Sequence, residues 1–275
     1  MPELPEVETV RRQLERTIVG RRFGSVDVRF SGRLNVGAGE FVKRLVGRRI
    51  LSSGRRAKLL LFGLSGGDTL VVHLKMTGKL LLVDSDQEPN RHTHVVFRLS
   101  GYNVLFFDDI RKFGYLHLFR TDDLERLVIG PAGYGPEPLG PGFRADSFAA
   151  DLKRFGRSAI KPLLLSQKCV VGVGNIYSDE TLWRSGIRPD RSAGTLEADE
   201  VRSLHDSIRK ILRRSVRIGG TSVDSYRDAF GRRGGYERKL EVYGREGHPC
   251  SRCGELIRKV RLGGRGTHYC PKCQK

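Results

Sequence analysis

The sequence predicts an α+β multidomain protein, with an N-terminal antiparallel β-sandwich or barrel and a helical C-terminal half that ends in a metal-binding hairpin. Three observations support this fold class. Short apolar runs alternate with turn signals from about residue 23 to residue 120, helical spacing of apolar residues dominates the second half, and four of the five cysteines form one pattern at the end of the chain. Strands and helices do not alternate regularly, so a parallel sheet is not expected.

The chain opens with MPELPEVETV, which is predicted to begin an amphipathic helix. Val7, Val10, Leu14 and Ile18 recur at helical spacing, and Gly20 follows as a stop. A proline fits the first helical turn because its missing N–H would have no partner within the helix there. The glutamates of this turn lie at the positive end of the helix dipole, which stabilises them.

Residues 23–120 are predicted to form strands joined by tight turns. The apolar runs are KLLLF, TLVVHLKM, KLLLV, HVVFRL and VLFF. The next segment, GPAGYGPEPLGPG at 130–142, is rich in glycine and proline and is interpreted as an interdomain linker.

Beyond this linker, the clearest element is a helix predicted from Leu196 to Ile218, with Thr195 as its N-cap. Its polar face carries the cations Arg202, Arg209, Lys210, Arg213 and Arg214. The following segment, SYRDAFGRRGGYERK at 225–239, is rich in glycine and arginine and is interpreted as mobile.

The charge of the chain indicates a polyanionic partner. Fifty Lys and Arg against 31 Asp and Glu give a formal net charge of +19 and a pI of about 10.2. Such an excess destabilises a compact state by self-repulsion unless a partner such as nucleic acid compensates it, although a basic solvated surface is the simpler alternative. No apolar run is long enough to span a membrane and no secretory signal is evident, so we expect a cytoplasmic protein.

The cysteine pattern predicts a zinc site. Cys250, Cys253, Cys270 and Cys273 are spaced C-x2-C-x16-C-x2-C, which suits a closed tetrahedral site of four thiolates. A closed site has no open position, so the ion would be structural and would hold the hairpin tip GGRGT at 263–267 toward a ligand. Cys169 lies in an apolar run and is expected to be a small buried hydrophobe.

Pro2 has two interpretations. It either only helps to start the first helix, or it acts as a nucleophile once Met1 is removed. An α-amino group has a reference pKa near 7.7–8.0 against about 10.4 for lysine, so much more of it is free base at neutral pH. Attack of a proline nitrogen on a sugar C1′ gives an iminium that has no N–H to lose and therefore remains an electron sink, with Glu3 as a candidate general acid. The residues alone favour the helix-start interpretation.

Several motifs occur in order along the whole chain: MPELPEVET at the start, RRAK at 55–58, HLKMTG at 73–78, GPEPL at 135–139, AIKPLLL at 159–165, VVGVGNIYSDE at 170–180, VYGREG at 242–247 and CPKCQK at the end. Together they resemble the formamidopyrimidine-DNA glycosylase family. The resemblance implies excision of oxidised purines, chiefly 8-oxoguanine opposite cytosine and formamidopyrimidines, from duplex DNA. It also implies AP lyase activity that cuts the strand by β- and δ-elimination.

The resemblance also implies a fold and its boundaries. We expect a β-sandwich flanked by helices at 1–130, a linker at 131–142, a helical domain with a helix–two-turns–helix motif at 143–237, and a zinc-finger β-hairpin at 238–275. A loop at 219–237 would recognise the damaged base. The expected partners are damaged double-stranded DNA and one structural zinc ion, and the expected state is a monomer without membrane contact.

Catalytic roles follow by the same resemblance. Pro2 would form the Schiff base, Glu3 would help to open the sugar, and Lys58 would contact a phosphate and assist elimination. Arg265 at the hairpin tip would also bind phosphate. Without the resemblance, Lys58 would be interpreted only as a basic residue at the start of a strand.

Further DNA contacts are implied for His73, Met76, His92, Arg111, Phe113, Arg157, Lys161 and Asn175. Met76, Arg111 and Phe113 would fill the gap that a flipped base leaves, whereas on the strand pattern alone Met76 and Phe113 would be core residues. Two positions depart from the family pattern: Lys75 replaces a glycine, and Ile110 replaces a proline in Asp-Pro-Arg-Arg-Phe-Gly.

Two alternatives remain open on the sequence. Endonuclease VIII, which prefers oxidised pyrimidines, shares Pro2, Glu3, Lys58 and the zinc hairpin, but it usually opens Pro-Glu-Gly-Pro-Glu where this chain has Leu4. A DNA-binding protein with zinc but without catalysis would explain the charge and the cysteines, although not the amino-terminal motif.

Overall fold

The computed structural model describes residues 1–101 and 104–275, which divide into two compact units. Unit 1 comprises Met1–Ala132 and Ile218–Gly235, and unit 2 comprises Gly133–Arg217 and Tyr236–Lys275. The predicted loop 219–237 had been grouped with the helical domain, whereas Ile218–Gly235 makes its contacts within unit 1. The physical reason is a set of hydrogen bonds and buried side chains that join this segment to the N-terminal helix.

Unit 1 contains two antiparallel four-stranded sheets. Its helices and strands are α1 (Leu4–Ile18), β1 (Phe23–Val28), α2 (Ala38–Leu45), β2 (Ile50–Arg56), β3 (Leu59–Leu64), β4 (Asp68–His73), β5 (Lys79–Val83), β6 (Thr93–Leu99), β7 (Val104–Asp108), β8 (Tyr115–Arg120) and α3 (Gly130–Ala132). The strand orders are β1-β6-β7-β5 and β2-β3-β4-β8. Both sheets, α1 and α2 share one apolar core, so the predicted β-sandwich flanked by helices is confirmed.

The first helix forms as its pattern predicts. Val7, Val10, Leu14 and Ile18 are each no more than 1% exposed and face the shared core. Burial of each such side chain contributes about 1.5–3 kcal/mol before entropic costs. Helix α2 was not predicted: Ala38, Phe41, Val42 and Leu45 do recur at helical spacing, but its eight residues are shorter than the window in which such spacing identifies a helix.

Unit 2 is mainly helical and ends in a two-stranded sheet. Its elements are α4 (Ala145–Arg154), α5 (Ile160–Leu165), α6 (Asn175–Ser185), α7 (Ala198–Ile218), β9 (Arg258–Leu262) and β10 (Arg265–Tyr269). The last residue of α7 already belongs to unit 1. No described helix has the length and apolar character needed to cross a membrane.

Helix α7 begins later than predicted. Thr195 lies in a short 3-10 turn, Ala193–Thr195, and is not the N-cap. The α-helix starts at Ala198, and the side chain of Glu200 accepts a hydrogen bond from the backbone N–H of Glu197 at 2.9 Å. This is the half of a capping box in which the N3 side chain bonds the backbone N–H of the residue before the helix.

Candidate functional site

The N-terminal Pro-Glu pair is held by the start of α1. Pro2 is buried, and Glu3 is the N-cap residue and only 2% exposed. The backbone N–H of Glu3 donates to the carboxylate of Glu6 at 2.8 Å, as in a capping box. The acidic residues therefore do cap the helix, and the same cap fixes the direction of Pro2.

Glu6 also joins this N-terminus to the segment Ile218–Gly235. Its second carboxylate oxygen accepts the backbone N–H of Thr221 at 2.7 Å, and its carbonyl oxygen accepts the Tyr226 hydroxyl at 3.4 Å. Burial, with the nearby charges of Glu6 and Asp228, raises the pKa of Tyr226, so this hydroxyl remains protonated and donates. One buried carboxylate therefore connects the Pro-Glu pair with the predicted recognition loop.

The loop is fixed at a second point by Gln13 of α1. The side-chain amide of Gln13 donates to Asp228 at 2.8 Å and accepts the backbone N–H of Ala229 at 2.9 Å. The backbone N–H of Leu82 donates to the carbonyl of Ala229 at 2.7 Å. Next to this contact Phe230 is 43% exposed, so the loop presents an aromatic side chain at its surface.

Lys58 lies in the two-residue turn between β2 and β3. Ala57, the first turn residue, has φ 52°, a left-handed conformation that is costly for a residue with a Cβ. Arg55 donates to the carbonyl of Ala57 at 2.7 Å and to Glu8 at 3.1 Å. Burial opposes ionisation of Glu8, yet the hydrogen bond from Arg11 and the charge of Arg55 keep its pKa below the usual range. The ion pair of Arg55 and Glu8 thereby supports the turn that carries Lys58, which is 9% exposed.

His73 is a neutral hydrogen-bond donor in this site. Burial, followed by the charges of Lys75 and Lys58, lowers the pKa of His73 to about 3. Its Nδ1 accepts the backbone N–H of Lys75 at 2.9 Å, so the proton of the neutral ring lies on Nε2. Lys75, which replaces the glycine of the family pattern, has φ 50°.

The loop that carries Arg111 and Phe113 is organised by Asp109. This carboxylate is fully buried and accepts hydrogen bonds from the Thr77 hydroxyl, from the backbone N–H of Arg111 at 3.2 Å and from that of Gly114 at 2.6 Å. These contacts hold the loop although Ile110 stands where the family pattern has proline. The Arg111 guanidinium lies 4.8 Å from the ring centre of Phe113, which is 43% exposed, so neither side chain is in the core.

His92 lies beside this loop. Its carbonyl accepts the backbone N–H of Asp109 at 2.9 Å, and the ring of this half-buried residue accepts Nε–H of Arg91 at 3.1 Å. Met76, by contrast, is half-buried, and its carbonyl accepts the Ser225 hydroxyl at 3.4 Å.

Arg265 lies at the tip of the β9–β10 hairpin. It pairs with Leu262 across a turn formed by Gly263 and Gly264, which have φ 54° and 75°. Two successive positive φ values define the tight hairpin turn that glycine forms most readily. The Arg265 side chain is exposed.

Lys161 corrects one expectation. Its ammonium is completely buried, 2.6 Å from the carboxylate of Asp179, and donates to the carbonyl of Gly266 at 3.0 Å and to the Thr267 hydroxyl at 2.8 Å. A group buried with these partners has no free direction for a DNA phosphate. Lys161 therefore supports the hairpin from within unit 2.

Asn175 also supports the hairpin, because its side-chain amide donates to the carbonyl of Gly266 at 3.1 Å. It is also the first residue of α6, where backbone N–H groups have no partner within the helix. Arg157 is exposed in the segment after α4.

The four terminal cysteines form a cluster that fits a zinc ion. Their Sγ atoms all lie within 4.8 Å of one another, with separations of 3.9 Å for Cys250–Cys273 and 3.5 Å for Cys253–Cys270. A tetrahedral zinc ion with Zn–S bonds of about 2.3 Å places its sulfurs about 3.8 Å apart. The Trp183 indole N–H donates to Sγ of Cys250 at 3.4 Å, which orients one ligand. Zinc bound there would cross-link the ends of the hairpin.

The sequence had given no role to three buried carboxylates that organise the site, namely Glu6, Asp109 and Asp179. For Glu6 the signal was present, because its spacing from Glu3 is that of a capping box. Asp109 and Asp179 act across long sequence separations, on Thr77 and Lys161, and no local pattern marks such pairs.

Family models match three stretches of the chain. They are described as the formamidopyrimidine-DNA glycosylase N-terminal domain at residues 1–116, the formamidopyrimidine-DNA glycosylase H2TH domain at 134–227 and a zinc finger found in FPG and IleRS at 247–275. Two relatives named formamidopyrimidine-DNA glycosylase are 45% and 43% identical. The first, from Herpetosiphon aurantiacus, matches over 94% of this chain and 93% of its own, and the second, from Ligilactobacillus salivarius, over 100% and 99%.

Solved structures of Lactococcus lactis Fpg agree with these matches. A complex with DNA that contains N7-benzyl-Fapy-dG aligns with a TM-score of 0.94 at 39% identity, over 100% of both chains. A complex with DNA that contains an oxidised pyrimidine aligns with a TM-score of 0.93 at the same identity and coverage.

The fold, the cysteine cluster and these structural neighbours first define a class, that of zinc-finger DNA-repair proteins that combine a β-sandwich with a helix–two-turns–helix domain. Within that class, the chain belongs to the formamidopyrimidine-DNA glycosylase family. It is therefore a DNA-repair enzyme, and the alternative of a binding protein without catalysis is wrong.

Proposed function

We propose that this enzyme removes oxidised purines, namely 8-oxoguanine and formamidopyrimidines, from duplex DNA and then cleaves the strand through a Schiff base at Pro2. One observation carries the proposal: in unit 1, a single series of contacts connects the Pro-Glu terminus, the recognition loop, Met76 and the Arg111 loop. Hydrogen bonds link Glu3 to Glu6 and Glu6 to Thr221, and the chain leads from Thr221 to Ser225, which bonds Met76. Thr77, the next residue, bonds Asp109, which bonds Arg111.

The chemistry begins when removal of Met1 frees the Pro2 nitrogen. This nitrogen attacks C1′ of the damaged nucleotide, and the C1′–base bond breaks with its electron pair, which leaves on the base together with a proton. Glu3 gives a proton to O4′ as the C1′–O4′ bond breaks, and the product is a ring-opened iminium. Loss of a C2′ proton then expels the 3′ phosphate, and loss of a C4′ proton expels the 5′ phosphate.

The other side chains of unit 1 act on the DNA around this carbon. Lys58 supplies a positive charge for a phosphate, and His73 supplies an Nε2–H donor that stays neutral at physiological pH. Arg111 bonds the unpaired cytosine, and Phe113 and Met76 fill the vacated stack, which offsets the few kcal/mol lost on unstacking.

Unit 2 contributes contacts that carry no base information. Arg265 and the first turn of α6 at Asn175 bind phosphate, because a helix N-terminus offers free N–H groups and a favourable dipole. One structural zinc per chain maintains the hairpin. The enzyme acts as a monomer, since one chain contains the whole proposed set of catalytic and phosphate-binding side chains.

The preference for purines is supported by the complete Met76, Arg111 and Phe113 set and by Leu4. Lactococcus lactis Fpg has been solved with Fapy-dG derivatives and also with an oxidised pyrimidine. An endonuclease VIII type of preference is therefore the second candidate, and the lesion must be compared directly.

Borohydride trapping tests both the mechanism and the lesion. The wild type is incubated with duplexes that contain either 8-oxoguanine opposite cytosine or an oxidised pyrimidine, and covalent adducts are measured. We expect a faster adduct on the 8-oxoguanine strand and much less adduct with Pro2→Gly, because the imine of a primary amine can lose its N–H proton and then is no longer a cationic electron sink. Pro5→Gly, which alters the same helix start but keeps the proline nitrogen, should retain the adduct.

Equal trapping by the Pro2→Gly protein would remove Pro2 from the mechanism. Faster trapping on the pyrimidine lesion would favour the second candidate, a preference of the endonuclease VIII type, over the purine preference. Mass spectrometry of the adduct must show that Met1 is absent, and an active protein that retains Met1 would contradict the nucleophile assignment.

A further inference from the structure

Helix α7 carries a basic face that the catalytic proposal does not use. This basic face of α7 consists of Lys210, Arg213, Arg214 and Arg217, which are all exposed. Together with Asp206 and Arg209, they line one concave surface along the helix. The acid among them, Asp206, is paired with His205.

The four cations lack acidic partners within the described part of the chain. Among the residues that the structure describes, none of them forms an ion pair, although many other arginines of the chain do. Lys210 and Arg214 are four residues apart, as are Arg213 and Arg217, and each such like-charge pair destabilises a helix by about 0.2–0.5 kcal/mol. The helix dipole favours cations only in the last turn, so it does not account for Lys210 and Arg213.

The basic face points away from the hairpin that carries Arg265. In α6, Asp179 faces the hairpin through His268, whereas Tyr177, two residues earlier, bonds Ser215 of α7 at 2.6 Å. Side chains two apart lie on opposite sides of a helix, so α6 separates α7 from the hairpin.

The same geometry applies within α7. Arg213 and Arg217 each lie two residues from the buried Ser215, so they project from the opposite side of α7. The basic face is therefore a second surface of unit 2, distinct from the proposed phosphate contacts of Arg265 and α6.

We propose that the basic face of α7 binds the phosphate backbone of a second segment of duplex DNA. From Lys210 to Arg217 the helix rises about 10 Å, which matches about three phosphate steps of one DNA strand at about 3.4 Å each. Arginine and lysine without acidic partners suit phosphates, and the binding needs no base contact. A repair enzyme with two such surfaces transfers between neighbouring duplex segments while it searches undamaged DNA.

The stoichiometry of undamaged DNA tests this proposal without any reliance on glycosylase chemistry. The full-length protein is mixed at low salt with an excess of an undamaged duplex of about one to two helical turns, and the complexes are counted by native mass spectrometry and sedimentation. We expect two duplexes per wild-type chain and one for the triple variant Lys210→Gln, Arg213→Gln, Arg217→Gln.

A matched control removes the same charge elsewhere in unit 2. The triple variant Arg144→Gln, Lys153→Gln, Lys239→Gln alters exposed cations outside the basic face and should still bind two duplexes. The charge-preserving variant Lys210→Arg, Arg213→Lys, Arg217→Lys should also bind two. Since each phosphate contact contributes about 0.9 to the salt slope of log K, the second binding step of the wild type should have a slope of at least about 3 in magnitude, and any residual second step of the basic-face variant should have a slope smaller by about 3.

One duplex per wild-type chain, or two duplexes with an unchanged salt slope in the basic-face variant, would overturn the proposal. Tighter binding of a duplex RNA of equal length at the second step would overturn the assignment to DNA. The rate of lesion excision by the basic-face variant should equal that of the wild type, so a failure of the excision proposal would be recognised separately.

Discussion

His73 shows how its environment sets the chemistry of a single side chain. Loss of solvent around its half-buried ring, with the charges of Lys75 and Lys58, lowers its pKa to about 3, and the backbone N–H of Lys75 fixes its tautomer. A neutral imidazole with a defined Nε2–H can serve as a hydrogen-bond donor without a change in charge across the physiological range, as the proposed DNA contact requires. The residue is therefore suited to positioning DNA and not to proton transfer at neutral pH.

This pKa has a consequence for stability. The folded-state value lies below the unfolded value of 6.5, so the unfolded chain binds more protons between the two values. The stability that depends on a neutral His73 is therefore complete above about pH 6.5 and is lost as the pH falls toward 3. Over that range the free energy of unfolding changes by at most about 1.4 kcal/mol per pH unit. In urea unfolding, His73→Asn, which retains an acceptor for Lys75, should lose this slope, whereas His248→Asn at an exposed site should keep it. Identical slopes in all three proteins would contradict the assignment.

Lys75 provides a second test at the residue scale. Its φ of 50° costs a side chain with a Cβ about 1–2 kcal/mol, and glycine avoids this cost. Lys75→Gly and Lys75→Ala remove the same charge, so their comparison isolates the backbone. We expect the glycine variant to exceed the alanine variant by about 1 kcal/mol in the free energy of unfolding. Equal stabilities would mean that the left-handed conformation carries no strain.

At the scale of elements, the zinc hairpin depends on contacts beneath it as well as on metal. Lys161 of α5 and Asp179 of α6 form a buried ion pair, and both bond the backbone or side chains of β10. Breaking a buried pair from one side leaves an uncompensated charge, which costs about 3–5 kcal/mol. The position of Arg265 therefore depends on residues that contact no DNA themselves.

Variants of Lys161 and Arg265 distinguish a residue that supports the hairpin from one that is proposed to contact DNA. Lys161→Met should lower the free energy of unfolding by about 3–5 kcal/mol, and Lys161→Met with Asp179→Asn should recover part of it. Arg265→Ala should weaken DNA binding and lyase activity while stability and zinc content stay unchanged. Denaturant titrations, DNA-binding curves and metal analysis measure these quantities. Loss of zinc from the Arg265→Ala protein would show that its effect is structural, and full stability of the Lys161→Met protein would contradict the buried pair.

At the scale of the whole molecule, the two units differ in what stabilises them. Unit 1 has a large apolar core between two sheets, whereas all five cysteines, and with them the metal site, belong to unit 2. The net charge of +19 acts on both, and DNA offsets the repulsion.

Removal of the metal should therefore affect one unit only. Trp183 is the single tryptophan and bonds Cys250, so its fluorescence reports the metal site directly. A chelator should change Trp183 emission in step with zinc release and weaken DNA binding, while the unfolding transition of the sandwich core persists. Added zinc should restore the signal. Unchanged emission after complete zinc release would contradict the four-cysteine site.

Much of the fold could be predicted because its signals are local. The helical spacing of Val7, Val10 and Leu14 and the alternation of apolar runs and turns lie within short windows. Helix α2 was not predicted because its apolar spacing extends over only eight residues. The start of α7 was misplaced because the helix begins at Ala198, where Glu200 bonds the backbone N–H of Glu197.

The sequence by itself determined the sandwich, the four-cysteine site, the basic charge and, through its motifs, the family. Only the tertiary structure decided that Lys161 is buried against Asp179, that Glu6 links Glu3 to Thr221, and that the segment Ile218–Gly235 belongs with the sandwich. The physical reason is that the periodicity of apolar residues and the spacing of metal ligands can be recognised within short stretches of sequence. The hydrogen-bond partner of a buried charge, by contrast, can lie far away in sequence, as Thr221 lies 215 positions from Glu6. Only folding brings two such residues together.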